Sequence, residues 1–151
     1  MNGTQTHEAC PRLEDQLCFP LYACAKEVVR QYREPLEALN LTYTQYLVMM
    51  VLWEKGTINV KSLGETLFLD SGTLTPVLKK LEAKQYLTRS RSSKDERNLV
   101  ISITPEGSLL KDKAITVPQH MASCIRLEPE EARTMYDLLY RILGDFSSDR
   151  L

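Results

Sequence analysis

The residues of this sequence best equipped for covalent chemistry are its four cysteines, Cys10, Cys18, Cys24 and Cys124. A thiol reacts or binds metal through its thiolate, and two thiols can cross-link. The spacing speaks against a metal: there is no Cys-x-x-Cys pair, and His7 and His120 lie far apart in the chain. A structural disulfide framework is also out of place. The first twelve residues carry His7, Glu8 and Arg12 and lack the apolar stretch of a secretory leader, so reduced thiols in a cytoplasmic protein are expected. Cys24 stands six residues after Cys18, about 9 Å further along a helix and on another face, too far for the two to pair. On spacing alone Cys18 reads as a small buried residue of a Leu-rich helix.

A second set of residues points to phosphates. Net charge is −1, but the charge is uneven: from Lys79 to Arg97 seven basic residues face three acidic ones, leaving the remainder acidic. A local basic block suits contact with a nucleic-acid backbone, where each cation that neutralises a phosphate releases condensed counterions. A solvated charged face would look the same on charge alone. Just upstream, Ser71, Thr73, Thr75 and Lys79 fall on the outward side of a helix whose Leu74, Leu78 and Leu81 point inward. Short hydroxyl side chains at a helix N-terminus can reach base edges or phosphates in the major groove. Lys80, Arg89 and Arg91 add positive charge nearby. The longest mainly apolar run, Leu47 to Trp53, is far too short to cross a bilayer, so no membrane association is expected.

The elements that must position these groups can be read from periodicity and caps. Leu13, Leu17, Leu21, Ala25, Val28 and Val29 recur at helical spacing and predict a first helix over about 13–38, with Pro20 marking either a kink near Cys18 or a start just before it. Thr42 and Gln45 form a capping box for a helix from Tyr43 to Glu54, stopped by Gly56, and a short extended piece follows at 57–59. Asn59 caps a helix to about Phe68, and Asp70 caps another from Ser71 to about Lys84. Two runs, 86–91 and 98–103, separated by a polar stretch, read as a hairpin with a charged tip. Thr104 and Pro105 open a further helix with apolar positions Leu109, Leu110, Ala114 and Val117. The last helix starts at Glu128-Pro129 and carries an apolar stripe from Met135 to Phe146.

Helix, turn, helix and basic hairpin in that order make a winged helix-turn-helix over 42–104. The fold class expected is therefore mainly α with a small β wing. The chain reads as one domain, 1–151, in which helices at 13–41 and 105–147 have no sheet to cover. Pairing them with a second subunit buries them economically, and the resulting homodimer would hold two recognition helices about one DNA turn apart on a pseudo-palindromic duplex. At the wing tip Arg97 is placed to enter the minor groove, with Asp95 holding it or a backbone amide.

Asp95-Glu96-Arg97 followed by Ile103-Thr104 resembles the D-x-R-x-x-x-x-x-[L/I]-T signature of the MarR family of winged-helix repressors, and the order of elements matches over roughly 13–146. Within that family the chain is similar to the organic hydroperoxide repressors called OhrR. The resemblance lies in Leu13-Glu14-Asp15-Gln16-Leu17-Cys18-Phe19, Tyr22, Gln31-Tyr32, Leu41-Thr42-Tyr43-Thr44-Gln45-Tyr46 and Leu69-Asp70-Ser71-Gly72-Thr73-Leu74-Thr75-Pro76.

The resemblance implies that Cys18 is the peroxide-reactive thiol, that Tyr32 and Tyr43 hydrogen-bond it across a dimer interface, and that Tyr22 lies close by. The chemistry is consistent: a sensing thiol needs donors to lower its ordinary pKa of about 8.5, and tyrosines supply hydroxyls on apolar rings that suit an organic peroxide. A sulfenic acid must then be trapped. Some relatives carry a resolving cysteine where this chain has His120. Here Cys124, one helical turn later, is the candidate, with a low-molecular-weight thiol as the other route. Alternatives are a repressor released by a non-covalent phenolic or lipophilic ligand and a thiol peroxidase, and the absence of a basic residue around Cys18 argues against the enzyme. In many relatives a glycine ends the recognition helix where this chain has Gln85-Tyr86.

Overall fold

A computed structural model of the chain describes residues 11–91 and 98–148, which group into two compact units meeting between Val117 and Pro118. In the first unit a 3-10 turn, Leu13–Asp15, precedes helices α1 (Cys18–Gln31), α2 (Arg33–Glu37) and α3 (Tyr43–Lys55). Strand β1 (Thr57–Asn59), helices α4 (Val60–Leu67) and α5 (Ser71–Ala83), strands β2 (Leu87–Arg91) and β3 (Leu99–Ile103) and helix α6 (Pro105–Ala114) follow. Helix α7 (Thr116–Cys124) leads into the second unit, which holds α8 (Pro129–Ser148). No described helix is long and apolar enough to cross a membrane.

The first unit is built around α3, whose Val48, Met49, Val51 and Leu52 are all buried. A helix apolar on most of its circumference belongs at the centre of a fold. Its start is the expected capping box: Thr42 Oγ1 accepts from the Gln45 amide at 3.4 Å, and Gln45 Oε1 accepts from the Thr42 amide at 3.1 Å. Gly56 closes it with φ 70°. The three strands form an antiparallel sheet in the order β1-β3-β2, with Ile58 opposite Ile101 and Leu87 opposite Ile103. Ile58, Leu87 and Ile101 turn into the core.

The tight turn between α4 and α5 explains itself residue by residue. Asn59 Oδ1 accepts from the Ser62 amide at 2.8 Å, and Asp70 Oδ1 accepts from the Thr73 amide at 2.9 Å, so each helix begins at the cap its sequence predicts. Phe68 ends α4 in the left-handed region at φ 54°, which lets the Leu69 amide reach Gly64 O. A methyl group on Gly64 would lie 2.7 Å from the Leu69 carbonyl oxygen, so a side chain there would push the two helices apart. Helix, turn, helix and antiparallel wing are thus present in the predicted order.

Two expectations are corrected. The helix expected over 13–38 is three pieces, with Leu13 in the 3-10 turn and Leu17 before α1. Pro20 is the third residue of α1, inside the first turn where amides have no intrahelical acceptor, so it marks a start and makes no kink. The helix opened by Thr104 and Pro105 stops at Ala114, because Pro118 has no amide to donate to the Ala114 carbonyl. Of its expected apolar positions, Leu110, Ala114 and Val117 are buried and Leu109 is exposed. In the second unit, Met135, Leu138 and Phe146 of α8 are exposed, and the rings of Tyr136 and Tyr140 stack with centroids 4.5 Å apart.

Candidate nucleic-acid interface and thiol site

On α5, Leu74, Leu78 and Leu81 are buried while Ser71, Thr73, Thr75 and Lys79 are exposed, as the helical spacing predicts. The hydroxyls are already oriented. Thr73 Oγ1 donates to Asp70 Oδ2 at 2.8 Å and Thr75 Oγ1 donates to the Ser71 carbonyl at 2.7 Å, which leaves both oxygens facing out as acceptors. Asp70 is held below the usual carboxylate range by its bonds from the Thr73 amide and hydroxyl. It stays anionic and keeps the cap in place. Lys79 lies one turn from Thr75 on the same face, whereas Lys80 turns toward a cleft described below.

The two wing arginines differ. Arg91 is exposed. Arg89 is partly buried, and its guanidinium is taken up by Glu82 of α5, Nη2 to Oε2 at 2.6 Å and Nε to Oε2 at 2.7 Å. Asp95 and Arg97, expected at the wing tip, lie outside the described residues.

Cys18 is exposed, which removes the reading of it as a buried core residue. It is the first residue of α1, at the positive end of the helix dipole, where an anion is favoured. Tyr22, one turn along, is exposed, with Lys26 Nζ 5.2 Å from its ring centre. Tyr32 and Tyr43 come together with centroids 4.6 Å apart, and Tyr46 joins them 6.0 Å from Tyr32. Burial, reinforced by Tyr43 and Tyr46, raises the Tyr32 pKa above its ordinary value, and burial raises that of Tyr43. Both therefore remain O–H donors at neutral pH. Cys124 is exposed at the end of α7.

Tyr32 and Tyr43 line a cleft of about 830 Å³ with an apolar floor that includes Leu36 and Leu41 and a rim that includes Arg30, Arg33 and Lys80. Lys84 closes one end, donating to the Asn40 carbonyl and, at 3.2 Å, to Gln45 Oε1. Burial and the neighbouring Lys80 lower its pKa. Sequence reasoning singled out neither Tyr46 nor Arg30 and Arg33, and it read Lys80 as a DNA contact. Tyr46 was findable, since Tyr43 and Tyr46 stand three apart on a capped helix and must share a face. The rim was not, because only the fold brings Lys80 of α5 beside Arg30 and Arg33.

The profile of the family described as transcriptional regulator SarA/Rot matches residues 30–114. The chain is 46% identical to the organic hydroperoxide resistance transcriptional regulator of Bacillus subtilis strain 168 over 132 residues, 87% of this chain and 90% of that protein. It is 44% identical to the HTH-type transcriptional regulator SarZ of Staphylococcus aureus strain USA300, covering 80% of this chain and 81% of SarZ. Among solved structures, AbfR of Staphylococcus epidermidis superposes with a TM-score of 0.72 at 33% identity, covering 91% of this chain and 95% of AbfR.

Proposed function

This chain belongs to the SarA/Rot family of transcriptional regulators, and from that premise we propose that it is a repressor of the MarR type which leaves its operator when an organic hydroperoxide oxidises Cys18. The observation that carries the reading is the position of Cys18, exposed and first in α1, in a chain 46% identical to a regulator of organic hydroperoxide resistance. AbfR, known reduced on DNA and in a disulfide form, supports a thiol as the switch in a relative.

In this reading the Cys18 thiolate attacks one peroxide oxygen, the O–O bond breaks and an alcohol leaves. The resulting sulfenic acid condenses with a second thiol, releasing water and forming a disulfide. That thiol is Cys124 of a second subunit or a low-molecular-weight thiol. Tyr32, Tyr43 and Tyr22 hold the reduced thiolate at the interface of the homodimer, and losing their contacts shifts the population toward a form that no longer fits both half-sites. The uncovered apolar side chains of α1 and α8 support a second copy as their partner, with 13–41 and 105–147 as the dimerisation segments of a single 1–151 domain. Ser71, Thr73, Thr75, Lys79 and Arg91, with Arg97 held by Asp95, would meet double-stranded DNA in the cytoplasm.

Fluorescence anisotropy of the reduced protein on a duplex from its own upstream region tests the reading. Release near one equivalent of organic hydroperoxide, with Cys18→Ser remaining bound, is expected. The cleft beside Tyr32 and Tyr43 favours a second reading, a non-covalent phenolic or lipophilic inducer, and release of Cys18→Ser by such a compound would select it.

A further inference from the structure

We propose that Glu82 is a positioning residue for DNA binding, and that Arg89 acts through Glu82 to fix the wing against the recognition helix instead of contacting phosphate. The proposal rests on the DNA-binding reading above. Among the described residues strand β2 pairs only with β3, so the amides on its other side have no ladder partner there. One of them, the Arg89 amide, donates to Glu82 Oε1 at 3.0 Å. Glu82 Oε2 meanwhile accepts from Arg89 Nε at 2.7 Å, with Nη2 at 2.6 Å.

Both carboxylate oxygens are therefore committed to a single residue of the wing, and they hold its backbone as well as its side chain. The pair is shielded, with the Arg89 side chain 24% exposed and the Glu82 side chain 35%. Glu82 belongs to the last turn of α5, the helix whose first turns carry Ser71, Thr73 and Thr75. The orientation of β2, and with it the aim of Arg91 two residues on, is thereby tied to the helix that enters the groove. An arginine whose guanidinium is engaged this way is a poor phosphate ligand, because contacting DNA would require giving up charge-assisted bonds already made.

The carboxylate's negative charge makes the test decisive. If Glu82 were only an acidic group near a polyanion, Glu82→Gln would tighten DNA binding. As a positioning residue it should weaken binding about tenfold, because glutamine has a single acceptor oxygen and its NH2 group cannot accept from either the Arg89 amide or the guanidinium. Arg89→Gln should weaken binding similarly while leaving the slope of log K against log salt at the wild-type value. A lost phosphate contact would lower that slope by about 0.9. A salt-independent inactive fraction leaves the slope unchanged, so the comparison is made with samples whose circular dichroism is constant across the salt range.

Amide hydrogen exchange supplies a readout without DNA: the Arg89 amide should exchange faster in Glu82→Ala than in the wild type. Tighter binding by Glu82→Gln, a lower slope for Arg89→Gln, or unchanged Arg89 exchange would each overturn the proposal. A wild-type protein that binds no duplex while the exchange result holds would instead overturn the DNA-binding reading and leave the clamp standing.

Discussion

The winged unit and helix α1 are opposite solutions to the same problem of burying apolar surface. In α3 six residues are buried, and at the root of the wing the packing is close enough that a single methyl group has no room. In α1 none is buried: Phe19, Leu21 and Tyr22 are exposed, and so is Leu17 just before the helix, by 81%. Each exposed side chain of that size forgoes roughly 1.5–3 kcal/mol of transfer free energy. The first region is finished within one chain. The second is written for something still to cover it, and it is the region that carries Cys18. A switch built from the incomplete region can change state without unfolding the complete one.

The contrast is broken most severely at Gly107. A Cβ there would lie 2.1 Å from the Tyr86 carbonyl oxygen, in a knot where Tyr86 O accepts from the Thr104 amide and Gly107 O accepts from Trp53 Nε1 at 2.8 Å. Backbone meets backbone, so neither partner can rotate away. Gly107→Ala should cost about 3 kcal/mol or more, read as a lower urea midpoint, and should reduce operator binding by displacing the wing. If the variant is as stable as the wild type, the winged unit is not packed as tightly as the comparison claims.

The complementary change at the other region is Leu17→Ser. Almost fully exposed in the single chain, Leu17 should contribute nothing to the packing of the first unit and a good deal to association. The dimer dissociation constant should rise about tenfold or more by sedimentation, corresponding to about 1.4 kcal/mol, while the far-ultraviolet circular dichroism at high protein concentration stays the same. Loss of helix without change in association would place Leu17 in the wrong class.

A gentler probe is the cap at the start of the recognition helix. The Asp70 pKa is lowered by the Thr73 amide and hydroxyl, so its stabilisation is complete above the unfolded value of about 4 and is lost as pH falls through the lower folded value. Asp70→Asn should remove that part of the acid dependence while retaining most of the cap, since asparagine also caps well. Urea midpoints compared across pH 2 to 6 would separate the two proteins only at the acid end. A constant difference at all pH values would assign the effect to something other than titration.

The legibility of the molecule follows the same division. Caps, turns and alternation are local, so Thr42, Asn59, Asp70 and Thr104 announced four helices correctly and Leu99, Ile101 and Ile103 announced a strand. The break between Gln31 and Arg33 has no cap, and its one local sign is Pro35, third in α2 as Pro20 is third in α1, whose meaning as a start was not drawn. Exposure of Cys18 was also invisible, because Leu17 and Leu21 look like core residues until the chain is folded and nothing covers them. Arg89 was legible only in part: its charge was, but its partner Glu82, seven residues away on another element, was not recognised.

The smallest effect is expected where sequence and backbone disagree. Gln85 closes the recognition helix with φ 62°, donating its amide to Glu82 O at 2.8 Å while the Tyr86 amide reaches Leu81 O at 3.1 Å. This is the closing turn that glycine normally fills, and a side chain in the left-handed region costs of order 1 kcal/mol. Glycine would remove that strain but would also enlarge the conformational freedom of the unfolded chain, which takes back part of the gain. Gln85→Gly should therefore stabilise the chain by only about 0.5 kcal/mol, visible as a rise of a degree or two in Tm. The wing follows directly from this turn, and Thr104 Oγ1 donates to the Gln85 carbonyl at 2.6 Å, so the substitution keeps the backbone bonds that aim it. A destabilised Gln85→Gly would mean that the glutamine side chain contributes more at the wing root than its left-handed backbone costs.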